Sequence, residues 1–309
     1  MNLYPFLLDY DTKDYIWGGD DLSKKWNKQS PTTNIAESWE LSDKSYIMNG
    51  SLKGELKRVL EKQPDLMGKR GMKYSSFPLL IKLINARSNL SIQVHPDDKY
   101  ALINEGQFGK SEMWYICEAK DDAAIYLGFN RNTNRKEIES ALESGKIEKY
   151  INSVKVKKGD CFFVPSGVVH AIRGGVTILE VQQNSNVTYR VYDYDRVDKK
   201  GNKRNLHIKQ ALEVMNFDKL IISQNDRQYQ KHENYKKRDL ISCDFFSTTE
   251  YIINSQLALC NKESFICFTV VEGEGAINDI AIQKGNTVFL PANCKGNING
   301  QLTIITSEV

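Results

Sequence analysis

The chain is 309 residues long, 40% hydrophobic and 26% charged, and its 42 Lys and Arg against 39 Asp and Glu leave a formal charge of +3. That length and apolar content can bury one large core or two smaller ones, which excludes a small disulfide scaffold and a disordered tail. The small, mixed-sign charge gives no footprint for nucleic acid or an anionic membrane and points to a globular protein with a small partner.

Along the chain, a short apolar run at 4–8 is followed closely by Asp9, Asp11 and Asp14, which fits neither a signal peptide nor a spanning helix. No later window suits a bilayer, so no membrane partner and a cytoplasmic address are expected. Residues 37–40, with Glu37, Trp39 and Glu40, read as a packed strand with Glu40 facing solvent. Residues 55–62 read as an amphipathic helix. From residue 77 strand signals dominate. Residues 77–84 form an apolar run broken only by Lys82, and Leu90, Ile92 and Val94 alternate with Ser91, Gln93 and His95 on opposite strand faces. Further strands are expected at 113–117, 123–129, 161–164, 176–181 and 187–192. Many short strands at this spacing indicate an antiparallel barrel or sandwich, with helices as insertions. One such helix is signalled by Asn134 and Glu137, spaced as a capping box ahead of Ile138, Ala141 and Leu142 and closed by Gly145. Another spans 207–217. The polar stretch 225–239 lacks apolar periodicity and is the predicted linker, with Lys236, Lys237 and Arg238 solvated. Strands resume after it. The six cysteines, Cys117, Cys161, Cys243, Cys260, Cys267 and Cys294, include no C-x-x-C pair and read as buried thiols of a reducing compartment.

An internal repeat links the two halves. Residues 159–170 and 285–296 share the spacing from a glycine (Gly159, Gly285) through an apolar run to a proline (Pro165, Pro291). Asn293, which tolerates positive φ, stands where the first copy has Gly167, and Gly296 stands where it has His170. Two related β-modules are therefore expected, and only the first carries a histidine there.

Of the four histidines, His207 opens a helix and His232 lies in the polar stretch, so both read as surface residues. His95 and His170 sit at strand ends beside turns, where a scaffold presents ligands. Gln93 shares a strand face with His95. A divalent metal could be held by Gln93, His95, His170 and one carboxylate, for which Glu112 is the choice. A lone Gln-x-His is more often a satisfied polar pair. The pattern Gly159-x5-Pro165-x-Gly167-x2-His170 resembles the second signature of the cupin superfamily and favours the metal, although Gly174 stands where that signature has Asn and Gln93 stands where the first signature has His. Lys82, in an otherwise apolar strand, either snorkels to a rim or faces an anion.

Taken together, Gln93-Val94-His95-Pro96-Asp97-Asp98, Gly109-Lys110-Ser111-Glu112-Met113-Trp114-Tyr115, the 159–170 stretch and the run 180–196 resemble the type I mannose-6-phosphate isomerases, closest to their short bacterial form. Ile16-Trp17-Gly18-Gly19 and Glu37-Ser38-Trp39-Glu40 also look like that family's N-terminal segments. The resemblance covers about residues 5–215, in order. It implies a mainly β fold of two cupin (jelly-roll or β-barrel) domains with helical insertions in the first: a catalytic cupin over 1–224, the linker 225–239 and a degenerate, metal-free cupin over 240–309. It implies one Zn²⁺ per chain on Gln93, His95, Glu112 and His170, with Lys82, Lys110 and Arg190 binding substrate. Arg190, Glu180 and Lys110 are the implied catalytic groups, with Glu180 the expected base and a zinc-bound hydroxide its competitor. Departures are Asn186, where the family has Asp, and Gly109, where longer relatives have His.

The implied reaction interconverts D-mannose 6-phosphate and D-fructose 6-phosphate through a cis-enediol. A Lewis acid suits its developing oxygen charge, and fixed cations suit its phosphate. The alternatives are a sugar-phosphate-binding cupin without catalysis and a metal-dependent cupin oxygenase. The partner expected is a small phosphorylated sugar, with the chain a monomer or homodimer.

Overall fold

The computed structural model describes residues 3–32, 34–198, 200–222 and 228–309. The apolar run expected at 77–84 forms the strand Leu79–Ala86, buried along its whole length. It lies within a six-stranded sheet ordered Cys161–Val164, Glu112–Ala119, Val176–Gln183, Leu79–Ala86, Glu37–Leu41 and Asp11–Lys13. A five-stranded sheet, ordered Ile151–Lys155, Ala124–Phe129, His170–Ile172, Ile92–Val94 and Tyr189–Tyr192, packs against it. Between them Ile84, Trp114, Ile116 and Phe162 meet Ile125, Leu127 and Ile172.

Alternation along Leu79–Ala86 explains its composition. Leu79, Ile81 and Leu83 face outward onto Phe246, Phe265 and Phe289 of the C-terminal module, in one core. The other set, Leu80, Lys82 and Ile84, faces the first module's interior. A strand covered on both faces reads as a continuous apolar run, and its one lysine marks where the interior becomes polar.

The architecture is mainly β, and the named strand pairs are antiparallel. The capping-box helix forms as Arg135–Glu143, with the Asn134 side chain accepting from the Glu137 N–H at 3.0 Å. Helices Leu56–Lys62 and Ile208–Val214 occupy the other two expected places. Among the described residues no helix is long and apolar enough to cross a membrane.

The internal repeat has a shared backbone. Gly159 and Gly285 adopt φ of 89° and 90°, and Gly167 and Asn293 adopt 83° and 65°. The strands between them, Cys161–Val164 and Thr287–Leu290, end at equivalent prolines. A Cβ on Gly285 would sit 2.2 Å from the Trp26 carbonyl oxygen, so that position needs glycine on space as well as on φ.

Four expectations are revised in the second half. Residues 225–227 of the predicted linker lie outside the described residues, but its remainder is not a linker: it forms the strand Gln230–Lys231 and most of the strand Tyr235–Ser242. Arg238 is not solvated, because register sets it opposite buried Glu250, to whose carboxylate its Nε donates at 2.5 Å. The eleven-stranded C-terminal sheet also takes Phe6–Leu8, Tyr46–Ile47 and Gly54–Glu55 from the other end of the chain, with Phe6 opposite Phe289. The division at 224 therefore does not describe this sheet. Among the cysteines, Cys260 is exposed and Cys243 half-buried, whereas the other four are buried.

Glu40 departs from its expected place in solvent. It is buried, takes a hydrogen bond from Lys28 at 2.7 Å, and accepts from Ser38 and Thr287 as well. Lys28 also donates to the Gly285 carbonyl at 2.6 Å, so this network ties the first module to the second. Burial lowers the Lys28 ammonium below its ordinary range while Glu40 opposes the shift. Glu40→Ala strands that charge, and a loss of about 3–5 kcal/mol is expected in denaturant unfolding. Lys28→Met with Glu40→Leu should recover most of it; a single variant as stable as the parent would refute the role.

Candidate metal centre and its cavity

Two neighbouring strands bring the donors together. His170 opens the strand His170–Ile172 and pairs with Gln93 of Ile92–Val94, which in turn pairs with Arg190 on its other side. Glu112 opens the facing strand Glu112–Ala119, held there by the Lys110 N–H on the Pro96 carbonyl and the Ser111 N–H on Gln183.

His95, Glu112 and His170 are buried, and their donor atoms lie within 4.8 Å of one another. Each imidazole donates Nδ1–H to a backbone carbonyl, His95 to Val187 at 2.7 Å and His170 to Val168 at 2.9 Å. That tautomer leaves each Nε2 lone pair turned inward. His95 Nε2 is buried and sits 3.2 Å from Glu112 Oε1, the oxygen that also faces Lys110 Nζ at 2.9 Å. Two inward lone pairs and an anionic oxygen converging on one dry point fit a divalent cation, so the residues present can hold a metal. The Gln93 carboxamide lies alongside, with Nε2 3.4 Å from His170 Nε2 and Oε1 3.3 Å from the Ser91 hydroxyl.

Electrostatics keep the donors in ligand form. Burial and the Lys110 charge push His95 down to about 3, and burial lowers His170. Burial alone would raise Glu112, but Lys110, with Nζ 2.9 Å away, and the two histidines hold it well below the carboxylate range.

The remaining expected residues lie beside this centre. One row of directly opposed residues crosses the six-stranded sheet: Trp39, Lys82, Glu180, Trp114 and Phe162. Direct opposition puts their side chains on one face. The Trp114 indole N–H donates at 3.0 Å to both Glu112 and Glu180, and Lys82 Nζ lies 3.2 Å from Glu180 Oε1. Burial and the Glu112 charge raise Glu180. Burial disfavours the Lys82 ammonium, yet Glu37, Glu180 and Glu112 outweigh it and hold the group above its ordinary range.

A cavity of about 490 Å³ opens over the centre, lined by Lys82, Gln93, Lys110, Glu180 and Arg190. Arg190 is half-buried, its Nε donating to Ser91 at 3.1 Å and Nη1 to the Asn205 carbonyl at 3.0 Å. The cavity also takes Lys13, Tyr15, Glu37, Arg204 and His207, which were not picked from the sequence. His207 is not a plain surface residue: it is half-buried and its N–H donates to the Arg190 carbonyl. The only signal for Arg204 was its place in a polar run after the Arg190 strand.

Residues 6–142 match the family model described as phosphomannose isomerase type I, catalytic domain, and residues 236–309 match that of the mannose-6-phosphate isomerase cupin domain. A probable mannose-6-phosphate isomerase of Bacillus subtilis is 37% identical over 303 residues, covering 94% of each chain. A mannose-6-phosphate isomerase of Streptococcus mutans is 34% identical over 314 residues, covering 98% of each. The crystal structure of a mannose 6-phosphate isomerase from Bacillus subtilis superposes with a TM-score of 0.92 at 34% identity, covering 99% of each chain. The apo form from Salmonella typhimurium, at 17% identity and TM-score 0.77 over 98% of each chain, shares the fold.

Proposed function

The chain belongs to the type I mannose-6-phosphate isomerases of the cupin superfamily and is an isomerase, and from that premise we propose that it interconverts D-mannose 6-phosphate and D-fructose 6-phosphate with one Zn²⁺ on Gln93, His95, Glu112 and His170. The observation that carries this reading is the convergence of His95, Glu112 and His170 on one buried point beneath a cavity lined by Lys82, Lys110, Glu180 and Arg190. When bound there, Zn²⁺ supplies Lewis acidity, polarising a substrate oxygen at a cost in barrier lower by several kcal/mol.

The chain's own groups do the rest. Glu180 takes the proton from C2 and returns it to C1 through the cis-enediol, while a proton passes from the C2 hydroxyl to the C1 oxygen. Burial raises the basicity of Glu180, and the Trp114 N–H and the Lys82 ammonium fix its carboxylate plane. Lys110 lies over Glu112 and donates toward the oxygen on which charge develops. Among the described residues Arg190 donates to neutral acceptors alone, which leaves its guanidinium charge for an anion. Lys82 adds positive charge between Glu37 and Glu180.

Purified protein incubated with mannose 6-phosphate and coupled to detection of fructose 6-phosphate should show turnover that a chelator removes and added Zn²⁺ restores. Absence of chelator-sensitive product would overturn the assignment.

A further inference from the structure

We propose that Arg204 is a second phosphate-binding group, forming with Arg190 the anion end of the cavity and setting the preference for a phosphorylated sugar. This rests on the sugar-phosphate reading above and extends it to a residue outside the family motifs of the sequence.

The argument is a charge inventory of the cavity wall. Five cationic side chains line it: Lys13, Lys82, Lys110, Arg190 and Arg204. Three are already matched to carboxylates, Lys13 to Asp11 at 2.5 Å, Lys82 to Glu180 at 3.2 Å and Lys110 to Glu112 at 2.9 Å. Among the described residues, the Arg190 guanidinium donates to the Ser91 hydroxyl and the Asn205 carbonyl alone. Arg204 donates through Nε and Nη2 to Asp193, at 2.8 and 2.5 Å, but that carboxylate is shared with Arg196 at 2.5 Å. One carboxylate between two guanidiniums leaves a net positive charge. Among the described residues, Nη1 of Arg204 has no hydrogen-bond acceptor. The uncompensated charge of the cavity is therefore collected at the Arg190 and Arg204 edge.

Position agrees with chemistry. From His170 through Gln93 to Arg190 is two strand spacings, roughly 9–10 Å, and the loop bearing Arg204 and His207 packs beyond Arg190. A sugar with its first two carbons at the metal centre directs a phosphate on its sixth carbon toward this edge. Asp193 pins the Arg204 fork in advance, so little side-chain freedom is lost when a dianion docks. An adjoining cleft of about 650 Å³ is lined by Lys44 and Lys57, both exposed.

The test is steady-state kinetics of Arg204→Gln, Arg204→Lys and Lys57→Gln, with inorganic phosphate as competitive inhibitor and as a stabiliser in thermal melts. Arg204→Gln should raise KM for mannose 6-phosphate and the inhibition constant of phosphate together by about tenfold or more, with a much smaller change in kcat and unchanged metal content. Arg204→Lys should fall between, having charge without the fork. Unchanged constants in Arg204→Gln, a fall in kcat alone, or the rise appearing in Lys57→Gln instead would overturn the proposal. Should Arg204→Gln fail to fold, Arg204→Lys decides, and parental constants there would overturn it. If the parent protein does not turn over mannose 6-phosphate, the reaction assignment fails while the melts still judge Arg204. Phosphate must then stabilise the parent and not Arg204→Gln, and a parent that phosphate leaves unaffected sinks the site.

Discussion

Replacing His170 with alanine is expected to empty the metal centre and to cost at least about a thousandfold in kcat, because both losses have one cause. Among the described residues the imidazole is one of two nitrogen donors at the buried point, and its Nε2 is aimed there by the Val168 carbonyl on Nδ1. Without it, His95 and Glu112 remain but cannot close a coordination shell, and Lys110 at 2.9 Å draws Glu112 into a simple ion pair. Alanine also removes a ring packed edge-on to Trp114, so the indole that bridges Glu112 and Glu180 loses a support. His95→Ala and Glu112→Gln should behave alike. Metal stoichiometry by plasma emission, together with a thermal melt to verify folding, is the measurement. Full metal occupancy in any of the three would refute the ligand assignment.

Glu180→Gln and Arg190→Ala should show the complementary result, metal retained and turnover lost. Glutamine keeps the shape of Glu180 but cannot take a proton, and removing a positioned general base costs about 10²–10⁴ in kcat. The change also removes a negative charge beside Lys82, so the lysine is left with Glu37, 4.0 Å away, and Glu112. Because burial raises the Glu180 carboxyl, the acid limb of the parental kcat profile should lie above the ordinary carboxylate range, with activity falling as pH drops through it. Glu180→Gln should abolish that limb along with most of the rate. Arg190→Ala removes the guanidinium that, among the described residues, donates to a hydroxyl and a carbonyl alone, and its loss should appear in both kcat and KM. A variant of either kind with parental turnover would refute its role, and one that lost its metal would show that the residue supports the centre.

The site was legible in unequal parts. His95, Glu112 and His170 could be read because each stands beside a turn or at a strand start, where spacing to proline and glycine is local information. The repeat was legible for the same reason: Gly159, Gly167, Gly285 and Asn293 are turn residues whose backbone needs follow from residue type. Lys82 was ambiguous in sequence, since a lysine in a buried strand can reach a rim or an anion. Register pairs it with Glu180, a partner that no local pattern could name. Glu40 and Arg238 were misplaced in solvent because their partners, Lys28 with Thr287 and Glu250, are brought to them by pairings between distant segments.

By itself, then, the sequence determined the mainly β character, the two related turn-strand-turn units, and the donor types and family of the site, all of which depend on local spacing and residue chemistry. Only the tertiary structure decided that Phe6–Leu8 completes the C-terminal sheet, that Glu40 and Lys28 join the two modules, and that Arg204 and His207 reach the cavity. Strand order and charge pairing arise from contacts between residues far apart in the chain. A linear pattern records which groups are available, and burial decides which of them must meet.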